Sequence, residues 1–343
     1  MAFEVNTFAA TAGDRSGTAY ELTDAAGTVR AEVWPHCGFN CLRWQVRQPD
    51  DSWGNILFTS PDWEANPVPT RSGHPVLFPF PGRLRYGKMQ FQGKVHELPL
   101  NDSTKQHAIH GFTPRNPWRV TDSNGDDEWA FVTGEFSLKK DLPATLGQWP
   151  ADFTLTLTYR LHADKLRLDA AVANLGPGPL PFGLGFHPYF RLPGVTEADV
   201  GGHVLQSHAE QVWETHADNL PTGWRNDIAG DLDFRQPRPI GATPLDHVFT
   251  ALRTPEPELG GLAEVAVLSH PAAAGRLRVM ADPAFRELVL FTPPHRQAVA
   301  IEPYTCSADA ANLWERGVDS GWRVLPPGGE WEGTVEYRWE RAG

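Results

Sequence analysis

Between Phe153 and Leu161 the chain reads Phe153-Thr-Leu-Thr-Leu-Thr-Tyr-Arg-Leu161, and after a short polar turn Leu166, Leu168, Ala170 and Val172 repeat the same period of two. Successive side chains of an extended strand point to opposite faces, so unbroken alternation is the mark of a strand with one buried side. Two such runs joined by a short turn predict an antiparallel hairpin. The period recurs at Val265/Val267, Leu277/Val279, Leu288/Leu290 and Val335/Tyr337/Trp339, punctuated by 32 Gly and 31 Pro. Helical spacing is weak throughout, and the best short-helix candidate is Ala308–Glu315. Without strand–helix–strand alternation a parallel sheet is disfavoured, and the absence of a fixed-period repeat argues against a propeller or solenoid. The predicted class is all-β, a large sandwich of antiparallel sheets with few short helices. The proline-rich stretches Pro61–Pro69 and Pro237–Pro257 read as loops, not linkers, so residues 1–343 are expected to form a single domain.

Composition narrows the functional classes. A net charge of −12 repels phosphodiester backbones and anionic membrane surfaces, so neither nucleic acid nor membrane is an expected partner. Met1–Gly17 lacks a basic segment followed by an apolar run, which points to a cytoplasmic location. The three cysteines, Cys37, Cys41 and Cys306, cannot all pair. Nor do they complete a metal site with nearby histidines, so buried reduced thiols are expected.

Three stretches combine ionisable residues with glycine, proline and aromatics, the composition of strand ends and loops that line a polar pocket. The first is Gly73-His-Pro-Val-Leu-Phe-Pro-Phe-Pro-Gly-Arg83, continued by Gln106-His-Ala-Ile-His-Gly-Phe-Thr-Pro-Arg115. The second is Pro181-Phe-Gly-Leu-Gly-Phe-His-Pro-Tyr-Phe190, and the third is Val299-Ala-Ile-Glu-Pro-Tyr-Thr-Cys-Ser-Ala-Asp-Ala-Ala-Asn312. Around Glu302, alternation puts Val299 and Ile301 on one face and Ala298, Ala300 and Glu302 on the other, leaving small side chains beside the carboxylate.

In this order, from Gly73 to Asn312 and with a fitting end at Leu325-Pro-Pro-Gly328, the stretches resemble the aldose 1-epimerase, or galactose mutarotase, superfamily. The resemblance implies a β-supersandwich whose concave face takes a small-molecule sugar, with no metal or organic cofactor, as a monomer or homodimer. It also implies an isomerase in which Glu302 is general base and His187 general acid. His110 would be a second catalytic histidine and Arg83 and Asp246 contacts to sugar hydroxyls. Gly82 stands where the family commonly has the Asn of an Asn-Arg pair, which removes whatever contact that side chain makes. Arg115, His107 and Tyr189 are further candidates for substrate binding. His107 also reads as structural, or as support for His110, while Arg85 competes with Arg83. Tyr304 and Phe112 lie near enough to the motifs to line a pocket or pack beneath it.

These residue types suit ring opening of a hemiacetal, in which the anomeric hydroxyl loses a proton and the ring oxygen gains one. A carboxylate ionised at neutral pH fits the first task, and an imidazole titrating near neutrality fits the second. Other readings are a mutarotase for a phosphorylated or sulfonated sugar, with Arg71, Arg85 and Arg115 near the motifs, and a non-catalytic carbohydrate-binding sandwich. A glycoside hydrolase using Asp246 and Glu302 would leave the histidines without a purpose.

Overall fold

The computed structural model describes residues 2–258 and 260–342. The alternating segments form strands Phe153–His162 and Lys165–Asn174, paired from Phe153↔Asn174 to His162↔Lys165. Phe153, Leu155, Leu157, Tyr159 and Leu161 all turn inward and are fully buried. The hairpin sits within a nine-stranded sheet that also takes in Glu330–Arg341, Gly275–Ala281 and Ala263–Ser269.

A second sheet of eight strands holds Asp246–Leu252, Glu287–Phe291 and Val299–Tyr304 near its centre, and a third of five strands is built from the first 55 residues. Strand pairing is antiparallel throughout these three sheets. One hydrophobic cluster runs through all of them, from Leu22 and Val33 through Tyr159 and Tyr337 to Leu288 and Ile301. Among the polar groups buried against it is His74, whose Nε2 lies 2.9 Å from the Tyr337 hydroxyl and whose Nδ1 lies 3.2 Å from that of Tyr159. Burial is tolerated because both ring nitrogens have partners.

Two readings of the sequence need adjusting. The helix begins at Ala310, not Ala308, and ends at Glu315 as expected. The stretch Pro237–Pro257, expected to be a loop, contains the strand Asp246–Leu252 in the middle of the second sheet. Its prolines flank the strand without interrupting the hydrogen-bond ladder, the placement proline tolerates. Cys37, Cys41 and Cys306 are free and buried. Among the described residues, no helix is long and apolar enough to cross a membrane.

Candidate active site

The strand register brings the two principal candidates together. Two short strands, Gly185–Phe186 and Tyr189–Phe190, flank Val299–Tyr304, with Gly185 opposite Tyr304 and Tyr189 opposite Ala300. Antiparallel counting between those pairs sets His187 directly across from Glu302. Pro188 has no N–H for the ladder, so pairing lapses there, and the His187 N–H turns away to the Pro75 carbonyl at 3.0 Å. On its other side Glu302 is opposite Val289. Ala298 and Ala300 share a cluster with Phe58 and Tyr189, while Val299 and Ile301 enter the main core, the division of faces read from the sequence.

Glu302 and His187 lie in a cleft of about 720 Å³ that Arg83, His110, Arg115, Tyr189, Asp246 and Tyr304 also line. Glu302 Oε1 is 3.4 Å from His187 Nδ1. The other carboxylate oxygen accepts a 2.6 Å hydrogen bond from the Tyr304 hydroxyl. The Tyr189 ring stacks on that of His187, with centroids 4.7 Å apart. Its hydroxyl donates to the Thr70 carbonyl at 2.6 Å, which leaves it an acceptor for His187 Nε2, 3.4 Å away. Glu302 is 1% exposed and His187 7% exposed. Burial pushes the Glu302 carboxyl well above the usual carboxylate range, against the Tyr304 hydrogen bond and with help from Asp246, and it lowers the His187 imidazole to about 3. Burial therefore favours a protonated carboxyl beside a neutral imidazole, in place of the ionised base and near-neutral acid expected from ordinary pKa values.

His110 is a different kind of histidine. Its Nδ1 accepts the Gly82 N–H at 3.2 Å, which puts the ring proton of the neutral form on Nε2. Burial, then nearby His187, Arg115 and Arg83, hold its pKa well below the usual value. Gly82 has φ +67°, and a Cβ there would meet that of Ala308 at 2.8 Å. The glycine that replaces the family's asparagine thus fits a tight spot and orients a histidine through its backbone. The next glycine matters as much. His110 and Gly111 both have φ +65°, and a Cβ on Gly111 would fall on the Phe78 carbonyl, which accepts from Phe112 N–H at 2.8 Å. Gly111→Ala is expected to cost about 3 kcal/mol in chemical denaturation, from left-handed strain plus the clash. Gly93→Ala, at φ +75° with open space around it, should cost about 1 kcal/mol.

Asp246 stands on the rim, its Oδ2 accepting from Asn219 Nδ2 at 2.6 Å. The surrounding protein raises its carboxyl above the ordinary range, opposed chiefly by the Arg83 guanidinium. Val248, Val289 and Phe291 supply an apolar wall, with Phe291 edge-on to His187 at 6.0 Å.

Three candidates fall outside the cleft lining. His107 is 1% exposed and its Nδ1 accepts the Tyr86 N–H at 3.1 Å, while its own N–H is tied to Asp102, so it braces a turn and does not face the cleft. Phe112 packs edge-on against Trp149 at 6.2 Å. Arg85 is engaged by Asp309 and Asp218 at 3.6 and 3.8 Å, which leaves Arg83 as the arginine of that pair lining the cleft. Asn219, Thr215 and Phe291 line it without having been singled out from sequence, because they belong to strand ends and turns with no motif of their own. Among the described residues no group of three His, Cys, Asp or Glu side chains is placed to hold a metal ion.

The family model for aldose 1-epimerase matches residues 22–338. The chain belongs to the aldose 1-epimerase family. Among its relatives is the uncharacterized protein YihR of Escherichia coli K12, 28% identical over 238 residues, 69% of this chain and 71% of the relative. A galactose mutarotase-like protein from Clostridium acetobutylicum shares the fold across 99% of both chains, with a TM-score of 0.83 at 22% identity. A galactose 1-epimerase from Lactobacillus acidophilus NCFM covers 99% of both chains with a TM-score of 0.74 at 21% identity. The fold is the galactose mutarotase-like arrangement of antiparallel sheets, and in this aldose 1-epimerase family member the matched segment spans every residue of the cleft.

Proposed function

We propose that the protein is a mutarotase that interconverts the α and β anomers of a free aldose by acid–base ring opening. The observation that carries this reading is the contact between Glu302 Oε1 and His187 Nδ1, 3.4 Å apart in a sugar-sized cleft. Two buried groups of opposite type at that separation, with no hydrogen bond formed between Oε1 and Nδ1, carry a single proton between them in this reading. Carboxylic acid with neutral imidazole and carboxylate with imidazolium are tautomers of equal net charge, and burial favours the first.

These two states are the two ends of the reaction. With the sugar ring closed, carboxylate and imidazolium face it. Glu302 removes the proton of the anomeric hydroxyl, the bond from C1 to the ring oxygen breaks, and His187 protonates that oxygen as the C1 aldehyde forms. The pair is now carboxylic acid and neutral imidazole. After rotation about C1–C2, His187 takes the proton back from the hydroxyl as it attacks the other face of the aldehyde. Glu302 then returns its proton to the anomeric oxygen. No proton is drawn from water, so the site works shut away from solvent.

Nδ1 is buried beside Glu302 without a hydrogen-bond partner, and Nε2 exchanges its 3.4 Å contact with the Tyr189 hydroxyl for the sugar. His110 lacks a carboxylate partner and lies near two guanidinium groups, so it serves as a neutral Nε2–H donor to oxygen atoms that gain charge. Arg83 and Asp246 hold hydroxyl groups so that reacting atoms align.

A one-proton pair fails when it gains a second proton or loses the only one. Gain is governed by the depressed imidazole and loss by the raised carboxyl. Turnover is therefore expected to stay flat across neutral pH, with an acid limb well below 6.5, the ordinary histidine value. An acid limb at 6.5 would contradict the shared-proton arrangement. Tyr304→Phe removes the donor that favours the carboxylate, so turnover should fall about ten- to a hundredfold, the worth of a hydrogen bond to a charged group. Fresh α-glucose and α-galactose followed in a polarimeter test the activity itself. Faster equilibration with protein is expected, and release of reducing sugar from a glycoside in its place would overturn the reading.

A further inference from the structure

Of the six edges of the three large sheets, five are blunted against pairing with another chain. The nine-stranded sheet ends in Arg119–Gly125, broken by a bulge between Val120 and Asp122, and in the two residues Arg238–Pro239. The eight-stranded sheet ends in Pro221–Asp227, which carries a proline and two charges, and in the two residues Val76–Leu77. One side of the five-stranded sheet is the three-residue strand Trp53–Asn55. Brevity, bulges, prolines and charges are the devices that keep edges from other chains. The sixth edge, Phe3–Ala12, uses none of them. It is ten residues long, pairs with Arg15–Asp24 without a bulge, and carries no charge or proline from Val5 to Ala12.

The backbone of this edge is closed at both ends and open in the middle. Ala12 and Arg15 close a two-residue turn with Gly13 at φ +59°, so even-numbered residues bond to the neighbouring strand and odd-numbered ones face outward. At the ends the outward N–H groups donate within the chain, Phe3 to the Asp126 carbonyl and Gly13 to that of Glu64, both at 2.7 Å. Among the described residues, the backbone groups of Val5, Thr7, Ala9 and Thr11 have no such partner. The open window is centred on Phe8, which is 38% exposed and meets Trp34 edge-on.

Such a window fits a second copy of itself. Antiparallel pairing about a two-fold axis at Phe8 sets Thr7 against Ala9 and Val5 against Thr11 of the second copy, which satisfies the open groups with about eight hydrogen bonds. The same register lays Phe8 on Phe8 and sets Glu4 opposite Ala12, whose cross-strand neighbour on that face is Arg15. Among the described residues, neither Glu4 nor Arg15 has an oppositely charged side chain within 4.0 Å. Two copies bring them to about two strand spacings, roughly 10 Å between backbones, within the combined reach of both side chains. No charge on either strand is set against its like.

We propose that the protein self-associates through Phe3–Ala12, joining two five-stranded sheets into one continuous sheet across a two-fold axis at Phe8. The association stands apart from the chemistry of the cleft.

Sedimentation velocity from about 1 µM to about 500 µM brackets the affinity of a small interface. The mass is expected to rise from that of one chain toward that of two. Ala9→Lys sets a lysine beside the axis and Thr7→Pro removes an outward donor while sparing the hairpin's own ladder, so each should weaken association about tenfold or more. Phe8→Cys locates the axis. Under mild oxidation it should cross-link two copies at least about tenfold faster than Trp224→Cys, a control at a position 75% exposed and outside the edge, because facing residues there meet disulfide geometry. The native cysteines are buried and do not compete. A protein that stays monomeric throughout, a dimer indifferent to both edge variants, or a Phe8→Cys that cross-links no faster than the control would overturn the proposal.

Discussion

Glu302→Gln is expected to lower aldose anomer exchange about 10²–10⁴-fold, the range for loss of one acid–base group, with the thermal midpoint nearly unchanged. The amide has the size of the carboxyl it replaces and can still accept the Tyr304 hydroxyl, which now donates to Oε2 at 2.6 Å. Burial already favours a neutral group there, so glutamine keeps that charge and shape while removing the proton acceptor. Exchange NMR and a thermal melt on the same sample check both halves. A variant that keeps near-full activity would remove Glu302 from the chemistry, and one that melts far earlier would make it a structural carboxyl.

His187→Asn should produce a loss of similar size, because without the imidazole the ring oxygen has no proton source and the carboxylate has no partner for the shared proton. The double variant Glu302→Gln/His187→Asn is expected to be no slower than about the worse single variant. Residues that pass one proton between them act as a unit, and removing either ends the exchange. Multiplicative losses in the double variant would mean that the two residues act independently, contrary to their 3.4 Å contact. The stacked Tyr189 ring, buried beside His187, holds the pocket open in the asparagine variant and limits collapse.

The parts of the fold legible in the sequence are those where one physical rule dominates. The hairpin Phe153–Asn174 could be drawn in register because a half-buried antiparallel strand enforces a period of two. The faces of Val299–Tyr304 followed from the same rule, and the family motif carried Glu302 and His187 with it. Asp246–Leu252 was hidden by the prolines on either side, since local turn chemistry outweighs seven residues of weak alternation. Elsewhere the missing information is three-dimensional. That His110 carries its ring proton on Nε2 depends on a backbone N–H 28 residues away. His107 and His110 look equivalent on paper, yet the Tyr86 N–H and the Asp102 turn hold one in a wall while two left-handed residues swing the other into the cleft. Ordinary pKa values mislead for Glu302 and His187 because burial acts on both at once. Nor can sequence show that Arg85 is neutralised by Asp309 and Asp218.

Ring opening between Glu302 and His187 leaves the bond from C1 to its hydroxyl oxygen intact, whereas displacement at C1 by water would replace that oxygen. Anomer exchange of a panel of neutral and anionic aldoses in ¹⁸O-enriched water therefore tests the central claim most directly. The expected result is exchange proportional to protein concentration, for at least one aldose, with the C1 oxygen retained through many turnovers. Label entering C1 at the exchange rate, or no acceleration for any aldose in the panel, would contradict it.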